Sequence, residues 1–482
     1  MIYIIFEVMI HRLFTLLLTL LVSSAFGQEK WDLRRCVEYA MVNNITVKQA
    51  EAQASSSRLT ANQTRLTLLP TLGGSLSGSY QHGLNENPTT GTLESANFFS
   101  GSMGVQSGYT IFNWGVRKNN IAANELFAEA DAVGVDKAKN DIGLLVANAY
   151  LQIMLRREQV RISEVQLNQS KAQLSLTRKL VNAGSQPELN ALQIEAQVAR
   201  DTSAFLEAQS LVEQGFITLK SYLNLDIAAP FDIESPSVEQ IPVESILDLQ
   251  PDAVYKLALT TQPAQQMNTI RIDASKRLVA SARGAMYPTL TAFAGLNTRF
   301  VNAKSPVFGA MPDKATSSYV LINGSQVPVF APQFGVMGYE GIPLFSQLNR
   351  NFGQSLGLSL NFPVFNAGAA RTQWQRAKIN VVQYELQDEQ QKLDLKANIY
   401  NAYQTAYASL QKYNASVKNV EASQRALDFS QKRFDIGLLG TLDFLITQSN
   451  LYRAKIEQVS NRYDFVFKLK VLEFYKGLGL KL

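Results

Sequence analysis

Between Ala369 and Phe434 the chain contains neither proline nor glycine. Ala, Gln, Lys, Leu and Glu dominate the stretch, and such a run predicts a single unbroken helix. At about 1.5 Å per residue it is roughly 100 Å long, and the rest of the chain must be arranged around it. Just before it, Ser355–Phe362 places apolar residues at every second position, the pattern of a half-buried strand. Pro363 and the Asn366–Gly368 step end that strand. After the long helix comes Gly437-Leu-Leu-Gly440, and a second helix is predicted from Thr441 back toward Tyr475. Strand, long helix, glycine turn and return helix form one unit.

The chain carries that unit twice. At one constant offset Ile111-Phe-Asn-Trp-Gly115 falls on Val364-Phe-Asn-Ala-Gly368, and Asn148-Ala-Tyr150 on Asn401-Ala-Tyr403. Gly184 falls on Gly437, Leu189 on Leu442, Arg200 on Arg453 and Tyr222 on Tyr475. Upstream, a shorter offset aligns Ala40 with Ala258 and Leu69-Pro-Thr-Leu72 with Tyr287-Pro-Thr-Leu290. The difference between the offsets is an insertion in the second copy, between Leu290 and Ser355. A shared register without gaps across a whole helical hairpin marks an internal duplication.

The predicted organisation is a first repeat over 28–244 and a second over 245–482. In the first, 31–69 reads as one amphipathic helix that Pro70 ends, and 72–82 and 98–112 read as strands around a polar loop. Residues 116–182 read as a long helix, Gly184-Ser-Gln-Pro187 as its turn and 188–224 as the return. Phe231-Asp-Ile233 is a candidate short strand in a proline-marked linker. In the second, a helix runs to Met286, Pro288 ends it, and 289–300 and 355–365 are strands. The insertion, rich in Pro and Gly, reads as a long loop whose aromatics could also support a short helix or hairpin. Two short helices end to end match one long one, so each copy is a strand pair on a hairpin of long columns. The strands have the length of tilted membrane strands, about 9–11 residues. Alternation in a single segment also fits a water-soluble hairpin. Four strands cannot close a membrane barrel, whose known minimum is about eight, so membrane insertion requires several chains to share one.

Residues 1–27 read as a secretory signal: His11 and Arg12, an apolar run from Leu13 to Val22, then Ala25-Phe-Gly27 at the cleavage step. That run is too short for a transmembrane helix. Cys36, the only cysteine, lies past the step within a helical pattern, so no lipid attachment is expected there. With 45 basic and 40 acidic residues the net charge is +5, which gives no argument for nucleic acid. The two histidines, His11 and His82, offer no zinc cluster or catalytic triad. The carboxylate pair Asp388/Glu389 falls on a charge-rich helical stretch and reads as a solvated face. No phosphate loop, metal cluster or nucleophile motif is present, so neither a cofactor nor an enzymatic activity is expected.

The second turn, from Arg433-Phe-Asp-Ile-Gly437 through Leu438-Leu-Gly440 to Asn450-Leu451, resembles that of the TolC-type outer membrane efflux family. So do the opening Cys36-Val-Glu-Tyr-Ala40 with Asn43-Asn44, and the Leu-Pro and Tyr-Pro steps at Pro70 and Pro288 that break helix into strand. The resemblance covers essentially the whole chain after the signal. It implies a mainly α fold with a β membrane part: duplicated long helical hairpins, plus four strands per chain in a shared twelve-stranded trimeric barrel. It further implies a homotrimer in the outer membrane of a Gram-negative bacterium, in contact with outer membrane lipid. The helices would form a hollow cylinder across the periplasm. Its tips would be Gly184 and Ser185 in one copy and Gly437, Leu438 and Leu439 in the other. There a periplasmic adaptor would dock and couple the channel to an inner-membrane pump such as an RND or ABC transporter. Asp443 matches an acidic constriction position in that family. The next acidic position is Ile446 here, and the first-copy counterpart of Asp443 is Asn190, so one carboxylate per chain remains.

The functional expectation is a passive exit duct of a tripartite efflux or type I secretion system. The alternative is a secreted or periplasmic coiled-coil scaffold without a barrel. The glycines and Asp443 also have local explanations, a turn conformation and a helix start.

Overall fold

Proline and glycine placement sets the helix boundaries in this computed structural model, which describes residues 30–86, 91–235 and 244–477. The signal assigned to 1–27 lies outside the described residues. In chain order the elements are α1 (Leu33–Asn43), α2 (Ile45–Leu66), β1 (Thr71–Glu86), β2 (Leu93–Phe112), α3 (Val116–Asn182) and α4 (Glu188–Leu223). The second copy has α5 (Pro251–Thr261), α6 (Pro263–Gly284), β3 (Thr289–Val301), β4 (Lys304–Ile322), β5 (Ser325–Gly341) and α7 (Leu344–Arg350). It ends with β6 (Gly353–Asn361), α8 (Ala369–Asp435) and α9 (Thr441–Tyr475). The two long helices, α3 and α8, have 67 residues each. The fold is mainly α with an antiparallel β part.

The chain forms two compact units, and they cut across the repeats. One contains the described residues up to Leu59, Glu125–Ala274 and the chain from Val381 onward; the other contains Thr60–Asn124 and Ser275–Asn380. The first unit is helical and has two cores that are copies of each other. Val146 of α3, Leu219 of α4 and Ala40 of α1 are fully buried in one; Ile399 of α8, Leu472 of α9 and Ala258 of α5 are fully buried at the equivalent places in the other. Cys36 lies in the first core, and burial pushes its thiol up to about 12, an unreactive group. Asp131 of α3 joins the short helices of both copies. It accepts from Ser57 Oγ at 2.5 Å and Gln53 at 3.4 Å on α2, and pairs with Arg271 of α6 at 3.0 Å. Burial raises its carboxyl, but the hydrogen bonds to Ser57, Arg271 and Gln53 outweigh it and hold the group below the ordinary range. Leu219 has no room to be replaced without a void. Leu219→Ala should cost about 2–5 kcal/mol, measured as a lower thermal midpoint of the helical signal.

The stretch read as one helix, 31–69, is two helices separated at Asn44. The stretch read as one helix up to Met286 is also two, separated at Gln262, and ends at Gly284. The breaks are equivalent. Asn44 donates its amide to Tyr222 O at 2.8 Å, and Gln262 donates to Phe474 O at 3.1 Å and Tyr475 O at 3.3 Å. Carbonyls at a helix end lack intrahelical donors, and these two amides supply them. The Phe231-Asp-Ile233 segment forms one parallel bridge, Trp31 to Ile233. Asp388 is largely buried and paired with Lys392 at 2.5 Å, not on a solvated face.

The second unit holds the strands. β1, β2, β3 and β6 form one antiparallel sheet in the order β1-β2-β3-β6. β1 and β2 extend into the stretch read as a polar loop. β6 ends at Asn361, short of the expected 365, because Phe362-Pro363 leaves the ladder: proline has no N–H to donate. The insertion is not a loop. It forms the hairpin β4–β5, a separate two-stranded sheet, followed by α7.

Both strand-to-long-helix steps use the same strained turn. Trp114 and Gly115 have φ of 50° and 77°; Ala367 and Gly368 have 52° and 78°. Such angles cost little for glycine but are uncommon for Trp and Ala. In the first copy the Tyr287 ring packs at a tilt on Trp114, centroids 5.0 Å apart, and Arg117 donates to Thr110 O at 2.8 Å. A Cβ on Gly284 would meet Trp114 O at 2.8 Å, so only glycine lets α6 end against this turn.

Candidate functional site

Two separate places carry the features that an outer membrane duct would use: the four-stranded sheet and the ends of the helical hairpins. Antiparallel partners share a face, so the register sorts the sheet's side chains. Row by row, Leu72 aligns through Ser107 and Ala294 with Leu356, and Tyr109 through Ala292 with Leu358. Leu76 aligns with Met103, and Val105 with Leu296. This face is apolar and open: Leu76 is 78% exposed and Leu356 86%. The opposite face is hydroxyl-rich. Ser77 bonds Ser102 at 2.8 Å, Ser79 bonds Ser100 at 2.9 Å, and Gln106, Thr110, Asn297 and Ser359 share the side. Phe293 is an exception on that face; its ring covers Gly357, where a Cβ would come within 2.5 Å. β1 and β6 are the edge strands and have no outer partner among the described residues. An exposed apolar face backed by a polar one is stable in lipid around water, not in water alone. Pro70 and Pro288 stand immediately before β1 and β3, where α2 and α6 have already ended.

The two helical turns are built alike. Gly184 has φ of 72° and Gly437 76°. Gly184 N–H donates to Val181 O and Ser185 N–H to Leu180 O, each at 2.9 Å; Gly437 N–H donates to Phe434 O at 3.0 Å and Leu438 N–H to Arg433 O at 2.8 Å. This is the left-handed glycine cap that satisfies carbonyls at a helix end. Beyond the caps the copies differ. The second turn is locked by Phe434 stacked on Phe444 at 4.7 Å; the first has an ion pair, Arg178 to Glu195, at 2.9 Å. Gly184, Ser185, Gly437 and Leu438 are exposed, and Leu439 is half-buried.

Asp443 lies in the first turn of α9, exposed, and Ile446 three residues on is exposed too. That spacing puts both on one helix face. Asn190, at the start of α4, is half-buried. Sequence reading missed a cleft of about 330 Å³ between α3, α8 and α9, lined by Glu158, Arg161, Gln169, Val420, Tyr452 and Lys455 among others. Its residues come from three helices far apart in sequence, so no local pattern announces it. Among the described residues no group of three or more His, Cys, Asp or Glu could hold a metal ion.

The family model described as "Outer membrane efflux protein" matches residues 37–225 and 341–477. The chain is 26% identical over 286 residues to the pyoverdine export outer membrane protein OpmQ of Pseudomonas aeruginosa, covering 57% of each protein. It is 24% identical over 327 residues to the OpmQ of Pseudomonas putida, covering 64% of this chain and 65% of that one. The chain thus spans less than two thirds of the length of these curated relatives. Among solved structures, that of CusC, described as forming a transmembrane channel, is similar with a TM-score of 0.72 at 17% identity, covering 95% of this chain and 96% of CusC. The Campylobacter jejuni CmeC outer membrane channel is similar with a TM-score of 0.71 at 17% identity, over 93% of this chain and 86% of that one. The sheet, the paired turns and the matched family model agree: this chain belongs to the outer membrane efflux protein family.

Proposed function

We propose that three copies of this chain close one twelve-stranded barrel in the outer membrane of a Gram-negative cell and form a passive exit duct. The observation that carries this reading is the four-stranded sheet with one apolar face, one hydroxyl-lined face and two open edges. Open edges are not tolerated in lipid, four strands are too few to close on themselves, and a closed ring of identical copies removes every edge. The apolar face weighs against a coiled-coil scaffold in water.

The hydroxyl-lined face becomes the wall of the pore. The turns at Gly184–Ser185 and Gly437–Leu439 become the periplasmic tips where an adaptor docks. Energy comes from an inner-membrane pump of the RND or ABC type, in an efflux or type I secretion assembly. The chain itself carries out no chemistry; its relatives are channels and transport proteins. The relatives' export of pyoverdine makes a siderophore-like molecule one cargo to test.

Native mass spectrometry of detergent-extracted protein should give a trimer. A monomer that keeps its β signal in detergent would overturn the shared barrel.

A further inference from the structure

The hairpin β4–β5 is not used by the duct described above. Its root is rigid. Asn302, between β3 and β4, exchanges hydrogen bonds with the Phe99 backbone, donating at 2.9 Å and accepting through Oδ1 at 2.6 Å. Gln347 of α7 clasps Val301 N–H and O at 3.0 and 2.9 Å from the other side. From that root run strands of 19 and 17 residues, an extension on the order of 50 Å at about 3.3 Å per residue. The turn at its end is Asn323-Gly324, with φ of 51° and 80°, a pairing that closes two-residue hairpins.

From Ala315 to Tyr339 the hairpin carries no charged residue. The register puts Val320 opposite Val327 on one face and Tyr319 opposite Pro328 on the other. Leu321 on the second face is 63% exposed, and Phe334 nearer the root 77%. A two-stranded hairpin has little stability alone in water, and apolar surface of this extent calls for a cover.

Three covers are conceivable, and the chain's own features separate them. Strand addition at an edge is hindered: Pro306 and Pro312 interrupt β4, Pro328 and Pro332 interrupt β5, and the ladder shifts register at three places. Lipid is badly placed. The nine paired rows of β3 and β6 already match the thickness of an apolar layer, and the hairpin begins beyond their outer end. A second copy is well placed. The hairpin rises between β3 and β6, and β6 is the edge strand beside which the next copy's sheet would lie.

We propose that each hairpin packs an apolar face against the hairpin of the neighbouring copy, so that the three form a six-stranded collar beyond the barrel. This rests on the shared-barrel reading, and face packing between hairpins does not follow from that reading alone.

The test uses the full-length protein with Leu321→Cys, with Val320→Cys and with the two together, because they lie on opposite faces and a threefold ring brings one face of each hairpin against the other face of the next. Purified trimers are treated with an oxidant or a short bis-maleimide and run on non-reducing gels, with native mass spectrometry on the same sample. The wild type is the control, because its single Cys36 is buried. At least one of the three variants should convert more than half of its protein to covalent dimer or trimer, to the same extent on tenfold dilution. A trimer that cross-links in none of the three variants overturns the collar and leaves the barrel standing. Absence of a trimer overturns the barrel and the collar with it. A thiol at position 321 shielded from water-soluble maleimide only in phospholipid vesicles would assign the face to lipid and overturn the collar.

Discussion

Leu356→Arg should destabilise the assembled sheet by about 2–4 kcal/mol, while Gln106→Arg at nearly the same depth should cost less than about 1 kcal/mol. The argument is in the register. Leu356 shares its row with Leu72, Ser107 and Ala294 on the open apolar face. The adjacent row, Gly73, Gln106, Gly295 and Ser355, lies on the opposite face. Depth is therefore almost constant between the two variants, and the face is what changes. A guanidinium in hydrocarbon loses its hydration without a partner, whereas one in a water-filled lumen keeps it. Unfolding titrations in lipid vesicles measure both. Equal destabilisation by the two arginines would mean that the sheet has no lipid side, and the barrel reading would fail. A large penalty for Gln106→Arg alone would invert the faces.

Asp443→Asn should lower cation selectivity and multivalent-cation block in planar-bilayer recordings, and Ile446→Ala should raise conductance. Asp443 stands in the first turn of α9, just beyond the Gly437–Gly440 turn. α8, which leads into that turn, is a 67-residue helix, roughly 100 Å at about 1.5 Å per residue. In a trimer, three copies would ring the axis if the side chain faces inward. Three carboxylates in a confined aperture attract cations and repel one another. Ile446 on the same face would then supply an apolar constriction where a second carboxylate would otherwise reinforce the first. Asn190 at the equivalent place in the first copy adds no charge. If Asp443→Asn leaves selectivity and block unchanged, the carboxylate serves only the helix start, where it also favours the N-terminal dipole.

Much of the helical layer was legible in the sequence. The helix read over 116–182 is α3, Val116–Asn182, and the return helices begin at the residues that follow Pro187 and Gly440. Helix propensity and glycine caps act within one or two turns of chain, so a local pattern is enough to place them. The likeness of the two strand-to-helix turns was legible for a related reason. Equivalent residues must meet equivalent conditions in each copy, and the left-handed pairs at Trp114–Gly115 and Ala367–Gly368 are the same turn made with different side chains.

The tertiary structure decided what depends on partners distant in sequence. The helix breaks at Asn44 and Gln262 are stabilised by the end carbonyls of α4 and α9, some two hundred residues away, and no window around either residue reveals those acceptors. The sequence leaves the insertion open between a long loop and a short helix or hairpin, because prolines and glycines erase the period of two; the pairing of Val320 with Val327 and its neighbours decides for strands. The sorting of the four-stranded sheet into two faces needed register, since a slip by one residue would exchange them. Sequence therefore determined where helices run and turn, because those choices are local. Which strands pair, what the hairpin presents and where the breaks fall were decided by contacts that exist only once the chain has folded.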